Sequence, residues 1–316
     1  MQPTDARSHS LDLDPAVPGA SGELSIADLL TQAARPLFSF EFFPPKDAEG
    51  DQMLRDAVDQ LQALHPDFVS VTYGANGSSR DKTLSATERI QREAGLRTMG
   101  HLTCASQSRD ELVRVIADYQ RVGITHILAI RGDMPGGPTQ PWQRHPEGLA
   151  NATELVELVS DVAPDMCIGV GAFPDVHPAS GDADLDAKLL VAKAEAGASF
   201  AITQMFFSAR RYVELVDRVR SHGCDLPIIP GIQPVTRLGQ IARFAEFSGA
   251  ALPAELVARL EAAAPDRVRS VGSEAATELC LELLAGGAPG LHFFTQNRST
   301  ATREILAMIL EHRRSA

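Results

Sequence analysis

Short apolar runs alternate with longer amphipathic segments along the chain from Pro36 onward. The apolar runs are rich in β-branched and aromatic residues and are bounded by Gly, Pro or Asp, which favours strands. The amphipathic segments between them favour helices, and several end at a glycine suited to a left-handed helix stop. The predicted strands are, in chain order, LFSFEF, DFVSVTY, LRTMGHL, THILAI, MCIGVGAF, SFAITQMF, LPIIPGI and GLHFFT.

This order of elements predicts an α/β fold, a (β/α)8 TIM barrel. The region of about residues 236–285, between strands seven and eight, is longer than one crossover needs and predicts extra helices. A doubly wound sheet is the alternative, but no G-x-G-x-x-G follows the first strand. We expect residues 1–24 to be a disordered N-terminal lead and residues 25–316 to form a single catalytic barrel domain that starts with a short helix near SIADLL.

Composition and charge exclude several classes of protein. The 316 residues carry a formal net charge of −12, which argues against a nucleic-acid partner. The 4 cysteines form no C-x-x-C pair, so they suit a reducing cytoplasm and predict neither a disulfide framework nor a metal cluster. No apolar run approaches membrane-spanning length, and the N-terminus lacks the apolar centre of a signal peptide. We therefore expect a cytoplasmic protein without a membrane or nucleic-acid partner.

Polar residues lie at the predicted C-terminal ends of the strands, where barrels of this class carry their chemistry. Acid, base and hydrogen-bonding groups would converge there on one rim, which predicts a binding or catalytic site. The residues at these ends are Glu41, Thr72, Tyr73, His101, Arg131, Gly132, Asp133, Phe173, Gln204, Gln233 and Arg298.

Glu41 is the sharpest of these signals. It lies in FSFEFFPPKD, where a carboxylate among phenylalanines costs free energy to desolvate and two prolines end the strand. We therefore expect Glu41 to be a catalytic acid at the barrel mouth, although a helix-capping role is the alternative. Asp133 could instead pair with Arg131. His101 and Cys104 have a loosely metal-like spacing, but no further His/Cys cluster supports zinc, so no metal is predicted.

Eight segments together resemble the bacterial 5,10-methylenetetrahydrofolate reductase family. They are FSFEFFPPK, FVSVTYGANGSSRDKT, HLTC, ILAIRGD, FPDVHP, GASFAITQMFF, IIPGIQPVT and HFFTQNR, and the match runs in order over about residues 36–312. The resemblance implies a homo-oligomeric flavoprotein in which FAD carries a hydride from NADH or NADPH to 5,10-methylenetetrahydrofolate with ping-pong kinetics, forming 5-methyltetrahydrofolate.

The resemblance also implies residue roles. Glu41 would be the general acid that protonates the folate, and the charge of Asp133 would stabilise the folate cation. Phe173, Leu189 and Ala192 depart from the family pattern, so we expect weaker or differently arranged FAD binding. The implied substrate contacts are Gln204, Gln240, Phe244 and Arg298. The implied FAD contacts are Thr72, Tyr73, Ala75, His101, Arg131, Gly132, Asp133, Ala152, Phe173, His177, Ser180, Asp186 and Lys193.

Two other functions are compatible with the same residues. One is a related flavin barrel that oxidises or reduces another cyclic amine. The other is a barrel that binds folate or a nucleotide without catalysis, in which Glu41 would be dispensable. The sequence does not separate NADH from NADPH, because the fingerprint position for a ribose hydroxyl is missing.

Overall fold

The computed structural model describes residues 24–73, 77–137, 140–240 and 252–315. Its strands are all parallel and form one sheet that curls into a barrel, which confirms the predicted fold class. The first strand pairs directly with the last, and the two ends of the strand order are consecutive short strands of the chain, so the sheet has almost no free edge. The strands are β1 (Leu37–Phe42), β2 (Phe68–Val71), β3 (Thr98–Thr103), β4 (His126–Ile130), β5 (Cys167–Ala172), β6 (Phe200–Thr203), β7 (Ile228–Ile229), β8 (Gly231–Ile232) and β9 (Gly290–Phe294).

The predicted seventh strand, LPIIPGI, is in fact two short strands. Pro230 separates β7 from β8 because proline has no N–H to donate to a sheet ladder. The two pieces then pair on opposite sides, β7 with β6 and β8 with β9. Pro230 still accepts a hydrogen bond through its carbonyl, from His292 N at 3.0 Å. The change of partner at Pro230 therefore closes the barrel.

Helices cover the outside of the barrel. Two of them lie between β8 and β9, as expected from the long segment there, and part of that segment, residues 241–251, is outside the described residues. No helix in the described ranges is both long and apolar enough to cross a membrane. The helices are α1 (Ile26–Gln32), α2 (Ala48–Gln62), α3 (Gly77–Ala94), α4 (Arg109–Arg121), α5 (Ala152–Val162), α6 (Ala183–Glu195), α7 (Ala209–Ser221), α8 (Ala254–Ala262), α9 (Val268–Ala285) and α10 (Thr300–Ser315).

The apolar core has two parts. The larger part lies between the sheet and the helices and contains the outward-facing Phe38, Phe40 and Phe42 of β1. The smaller part fills the lower barrel interior with one or two side chains from each of β2 to β7. Ile26 of α1 joins this inner cluster, so the short N-terminal helix plugs the lower end of the barrel. Residues 1–23, for which disorder was predicted, lie outside the described part.

The upper barrel interior is polar on one side. Strand residues alternate between the two faces of the sheet, so Ser39 and Glu41 of β1 point inward where the phenylalanines point outward. Ser70 of β2, His101 of β3 and His292 of β9 lie in neighbouring strands of the same quadrant and are also buried. Buried polar groups are costly unless they are satisfied, so this quadrant is the first place to look for chemistry.

Candidate active site

One cavity of about 730 Å³ lies at the C-terminal ends of the strands. It is lined by residues that lie in or directly after eight of the strands, β1 to β6, β8 and β9, as the barrel architecture predicts. Every described residue expected to contact FAD lines this cavity, together with the expected acid and one expected substrate contact. These are Glu41, Thr72, Tyr73, His101, Arg131, Gly132, Asp133, Ala152, Phe173, His177, Ser180, Asp186, Lys193 and Gln204. Ala75 and Phe244 lie outside the described residues.

Glu41 is held at the end of β1 and is 7% exposed. Its backbone carbonyl accepts a hydrogen bond from Thr295 Oγ1 at 2.6 Å, which ties β1 to the segment after β9. Its carboxyl oxygen Oε2 lies 3.5 Å from His101 Nε2 and 3.8 Å from His292 Nε2. The alternative role of helix cap is excluded, because Asp47 caps α2 by accepting from Gly50 N. Glu41 is thus a nearly buried acid facing the cavity between two imidazoles.

The loop after Glu41 is fixed by a side-chain clamp. Asn297 Oδ1 accepts from Phe43 N at 2.8 Å, and Asn297 Nδ2 donates to Phe43 O at 2.9 Å. Gln296 and Asn297 both have positive φ angles, 52° and 55°. Two successive non-glycine residues in this region are uncommon and often mark functional sites. The clamp therefore fixes the position of the Phe43 backbone, and with it the point at which the chain leaves β1.

His101 lies within β3 rather than at its end. The strand continues to Thr103, and Thr103 pairs in register with Ile130 of β4. The side chain still points inward and lines the cavity. Burial lowers the pKa of His101 to about 4, an effect that the nearby Glu41 carboxylate only partly opposes. His101 Nε2 has no hydrogen-bond partner among the described residues. His101 is therefore a neutral imidazole beside the acid at ordinary pH. The described residues hold no cluster of His, Cys, Asp or Glu suited to a metal ion.

The segment after β4 presents a carboxylate and a cation separately. Asp133 is exposed, and it forms no ion pair with Arg131 among the described residues, so the pairing alternative is not supported. Arg131 instead lies over the ring of Trp142, 5.0 Å from the centroid. Gly132 between them has a φ of 79°, and a Cβ there would meet Thr103 Cβ at 2.6 Å. Only glycine adopts this φ without strain and also leaves room for Thr103, so the turn can lie close against β3.

The α6 wall of the cavity carries a cation whose one hydrogen bond among the described residues is to a backbone carbonyl. Lys193 Nζ donates to Gly171 O at 3.0 Å, and burial lowers the Lys193 pKa to about 8. Asp186, two helical turns earlier, accepts from His177 N at 2.8 Å. Leu185 and Leu189, spaced by four on the same helix, leave apolar surface exposed to the cavity. This wall therefore combines an ammonium that has no carboxylate partner within the described ranges with an apolar patch.

A second cavity of about 600 Å³ adjoins the first. Arg298 and Gln240, two of the expected substrate contacts, line this second cavity and not the one that contains Glu41. The amide oxygen of Gln240 is already used locally, since it accepts from Thr236 N at 2.8 Å and from Arg237 N at 3.0 Å. The substrate residues predicted from the sequence are therefore divided between two adjoining spaces.

Three residues that join the two cavities were not predicted as site residues. Gln233, Phe294 and Gln296 line both cavities. Gln296 Nε2 donates to Gln233 Oε1 at 3.3 Å, so an amide pair lies at the junction. The positions of the two glutamines in the sequence could have indicated this role. Gln233 was recognised at a strand end, and Gln296 lies within the TQNR segment that follows β9. A ligand that extends from Glu41 towards Arg298 would have to pass this pair.

These features define an enzyme of the TIM-barrel class. A nearly buried acid, an open carboxylate, primary amides and unpaired cations converge on one space at the C-terminal strand ends. The two adjoining cavities together suit a ligand with a flat polar ring at one end and an anionic tail at the other. Primary amides can recognise the ring edge, and arginine can pair with the carboxylates of the tail.

Comparison with known proteins identifies the family. The family model described as "Methylenetetrahydrofolate reductase" matches residues 26–310. The chain is 41% identical to the 5,10-methylenetetrahydrofolate reductase of Salmonella typhimurium over 263 residues, 83% of this chain and 86% of the relative. It is 40% identical to the Escherichia coli enzyme with the same coverage. In fold it is similar to a Clostridium thermocellum protein described as binding two copies of 5-methyl-5,6,7,8-tetrahydrofolic acid, with a TM-score of 0.60, 14% identity and coverage of 91% and 99%.

The chain therefore belongs to the methylenetetrahydrofolate reductase family. It is an oxidoreductase of one-carbon metabolism, and its reaction is the reduction of 5,10-methylenetetrahydrofolate to 5-methyltetrahydrofolate.

Proposed function

We propose that this reductase uses FAD with NADH or NADPH as the hydride donor, in a ping-pong reaction, with Glu41 as the general acid. When bound, FAD would supply the hydride chemistry that no side chain of the chain can supply. The single observation that carries the proposal is that the predicted acid and the predicted flavin contacts line the same cavity. Because Glu41 and Asp133 face that one space, donor and folate would have to use it in turn, which favours ping-pong kinetics.

The residues present fit FAD. Lys193 and Arg131 line the cavity without a carboxylate partner among the described residues, so a diphosphate would provide the missing negative charge. Leu185 and Leu189 are 43% and 44% exposed on the cavity wall, and a flat ring would cover this apolar surface. Leu189 and Phe173 offer no polar contact at positions where the family pattern has one. We therefore propose that FAD is held mainly by charge and by apolar contact.

Glu41 would act on the folate nitrogen. Its carboxylic acid would donate a proton as the five-membered ring of the substrate opens, and Asp133 would stabilise the positive charge that this creates. Gln204 would contact the ring edge through its amide N–H groups, since its oxygen already accepts from Met205 N at 2.9 Å. Arg298 in the adjoining cavity would pair with the carboxylates of the glutamate tail.

The test separates the two halves of the reaction. The purified protein with added FAD is expected to bleach at the flavin band on anaerobic addition of NADH or NADPH, and to recover its colour on addition of methylenetetrahydrofolate. A Glu41→Gln variant is expected to keep the bleaching step and to lose about 10²- to 10⁴-fold in the folate step, the usual contribution of a general acid. Glu157→Gln is the matched control, because Glu157 is exposed on α5 and lines neither cavity.

Two results would refute these assignments. A Glu41→Gln enzyme that reduces folate at the normal rate would remove Glu41 from the acid role. A protein that neither binds nor bleaches FAD, yet reduces folate with NADH or NADPH, would mean that hydride passes directly between the two substrates.

A further inference from the structure

The side chain of Arg131 lies against an aromatic ring at the edge of the main cavity. Its guanidinium carbon is 5.0 Å from the centroid of the Trp142 ring, a distance at which a cation and an aromatic face attract each other. Arg131 lines the cavity that contains Glu41, whereas Trp142 is not part of the lining and packs against the main apolar core. Arg131 therefore contacts an aromatic support on one side and the ligand space on another.

The backbone of Arg131 is fixed, but its side chain has a choice of positions. The Arg131 carbonyl accepts a hydrogen bond from Ala105 N at 2.9 Å, which ties the residue to the segment after β3. An arginine side chain has many rotamers, and the exposed carboxylate of Asp133 is only two residues away. Arg131 forms no ion pair with Asp133 among the described residues and stacks on Trp142 instead. The indole therefore decides where the guanidinium lies.

Like charges near Arg131 oppose this position. Burial is the main cause of the lowered pKa of Lys193 and of His177, and the charge of Arg131 lowers both pKa values further. Two cations kept close together repel each other unless an anion compensates them. Among the described residues no carboxylate forms an ion pair with either Arg131 or Lys193. The contact with Trp142 thus keeps the guanidinium beside the ammonium in spite of the repulsion.

The loop that carries Trp142 is anchored to the barrel. The segment between β4 and α5 is rich in glycine and proline, yet its second half is tied down by hydrogen bonds. Arg144 Nε donates to Gly148 O at 2.9 Å, and Glu147 O accepts from Arg109 N, at the start of α4, also at 2.9 Å. These bonds fix the chain just after Trp142, so the indole is a firm support for Arg131.

We propose that Trp142 is a positioning residue for the diphosphate of FAD. It acts through Arg131, because the indole face holds the guanidinium at the cavity before the anion arrives. A cation that is already in place loses less conformational freedom on binding, and this strengthens binding. The inference rests on the proposed use of FAD. It also predicts a difference between ligands: Trp142 should matter for FAD and ADP, which carry a diphosphate, and not for riboflavin, which carries none.

Replacing the indole tests this difference directly. Dissociation constants for FAD, ADP and riboflavin are measured by calorimetry on the full chain freed of flavin. Trp142→Leu should weaken FAD and ADP by about 3- to 30-fold, the range expected for loss of one cation–π contact, and leave riboflavin unchanged. Trp142→Phe should lie between the wild type and the Leu variant, because tryptophan is the strongest of these rings. Gln143→Leu is the matched control, since Gln143 is the exposed neighbour and lines neither cavity.

A double variant shows whether Trp142 acts through Arg131. Arg131→Met should weaken FAD and ADP by itself, and Trp142→Leu added to it should cause no further loss. The chain has 1 tryptophan, so its fluorescence reports on this ring alone. In the protein without FAD, Arg131→Met should shift the tryptophan emission, because the charge beside the ring is lost. Thermal midpoints of all variants show whether they fold, and Trp142→Phe with Arg131→Met suffices if Trp142→Leu does not.

The outcomes distinguish this inference from the proposed function. A wild-type protein that binds FAD, together with Trp142 variants of unchanged affinity for FAD and ADP, would overturn the role of Trp142 alone. Equal losses for riboflavin would also overturn it, since they would indicate damage to the loop. An emission spectrum that Arg131→Met leaves unchanged would mean that the two side chains do not stack in solution. A wild-type protein that binds no FAD would overturn the proposed cofactor and this inference together.

Discussion

Replacing Asn297 with alanine is expected to destabilise the folded protein by about 3 kcal/mol. Asn297 is 9% exposed and lies just after β9 at the barrel mouth. Its side chain holds the Phe43 backbone at both the N–H, at 2.8 Å, and the C=O, at 2.9 Å. Its φ of 55° lies in the left-handed region, which asparagine adopts more readily than alanine.

The expected magnitude is the sum of two effects. Each hydrogen bond contributes about 0.5–1.5 kcal/mol net, so the two together contribute about 1–3 kcal/mol. Alanine in the left-handed region costs about 1–2 kcal/mol. Phe43 is 42% exposed, so water partly replaces the lost bonds and the total falls near the middle of the range. The effect is thus a large fraction of the stability of an ordinary domain.

Urea unfolding measures the change, provided that the m-value stays constant. Asn297→Gly separates the two effects, because glycine loses both hydrogen bonds but adopts the left-handed conformation without strain. Gln296→Ala is the neighbouring control, with a φ of 52° and, within the part of the chain that the structure describes, one side-chain hydrogen bond, at 3.3 Å. An Asn297→Ala protein within about 1 kcal/mol of the wild type would refute the clamp. A glycine variant clearly less stable than the alanine variant would refute the conformational part.

Three further outcomes are expected. Burial lowers the pKa of His126 to about 4, and its Nε2 accepts from Ile26 N at 3.2 Å. The free energy of unfolding should therefore be highest above about pH 6.5 and fall as the pH drops towards 4. Urea unfolding at several pH values should show a smaller slope for His126→Gln. Lys193→Met should weaken FAD binding at least about tenfold in a fluorescence titration, whereas Lys188→Met, on the exposed side of α6, should not. Gly132→Ala should cost about 2–4 kcal/mol, because its Cβ would meet Thr103; a thermal midpoint near that of the wild type would contradict this.

The sequence pattern was enough to predict nearly all the strands. β1 has the predicted bounds, because alternating Phe and polar residues and then two prolines mark both its face and its end. The split at Pro230 was missed, although proline is visible in the sequence. What decides it is the change of partner, from β6 on one side of Pro230 to β9 on the other, and pairing partners are a property of the closed barrel.

The candidate site was predictable only in part. Positions at strand ends identified Glu41, Asp133 and Gln204 as neighbours of one space, because the architecture brings all such ends together. The division of the expected substrate contacts between two cavities was not predictable, since it depends on the course of the segments after β8 and β9. His292 was missed because a single histidine among Leu and Phe is most often a core residue. Its position in the strand alternation was the available signal, because it lies two residues before the inward-facing Phe294 and so points to the same side of the sheet.

The distribution of polar groups inside the barrel explains how stability and chemistry coexist. A barrel built only for stability would fill both interior layers with Leu, Ile and Val. Here the lower layer is apolar except for His126, which accepts from Ile26 N, and the outer core beneath the helices is mainly apolar. The buried Ser39, Ser70 and His292 are confined to neighbouring strands beneath Glu41, where each finds a hydrogen-bond partner. Because satisfied polar groups cost little and unsatisfied ones cost much, the fold keeps Ser39, Ser70 and His292 as a connected network, and such a network also orients a buried acid. His101 Nε2, which has no partner among the described residues, faces the cavity instead.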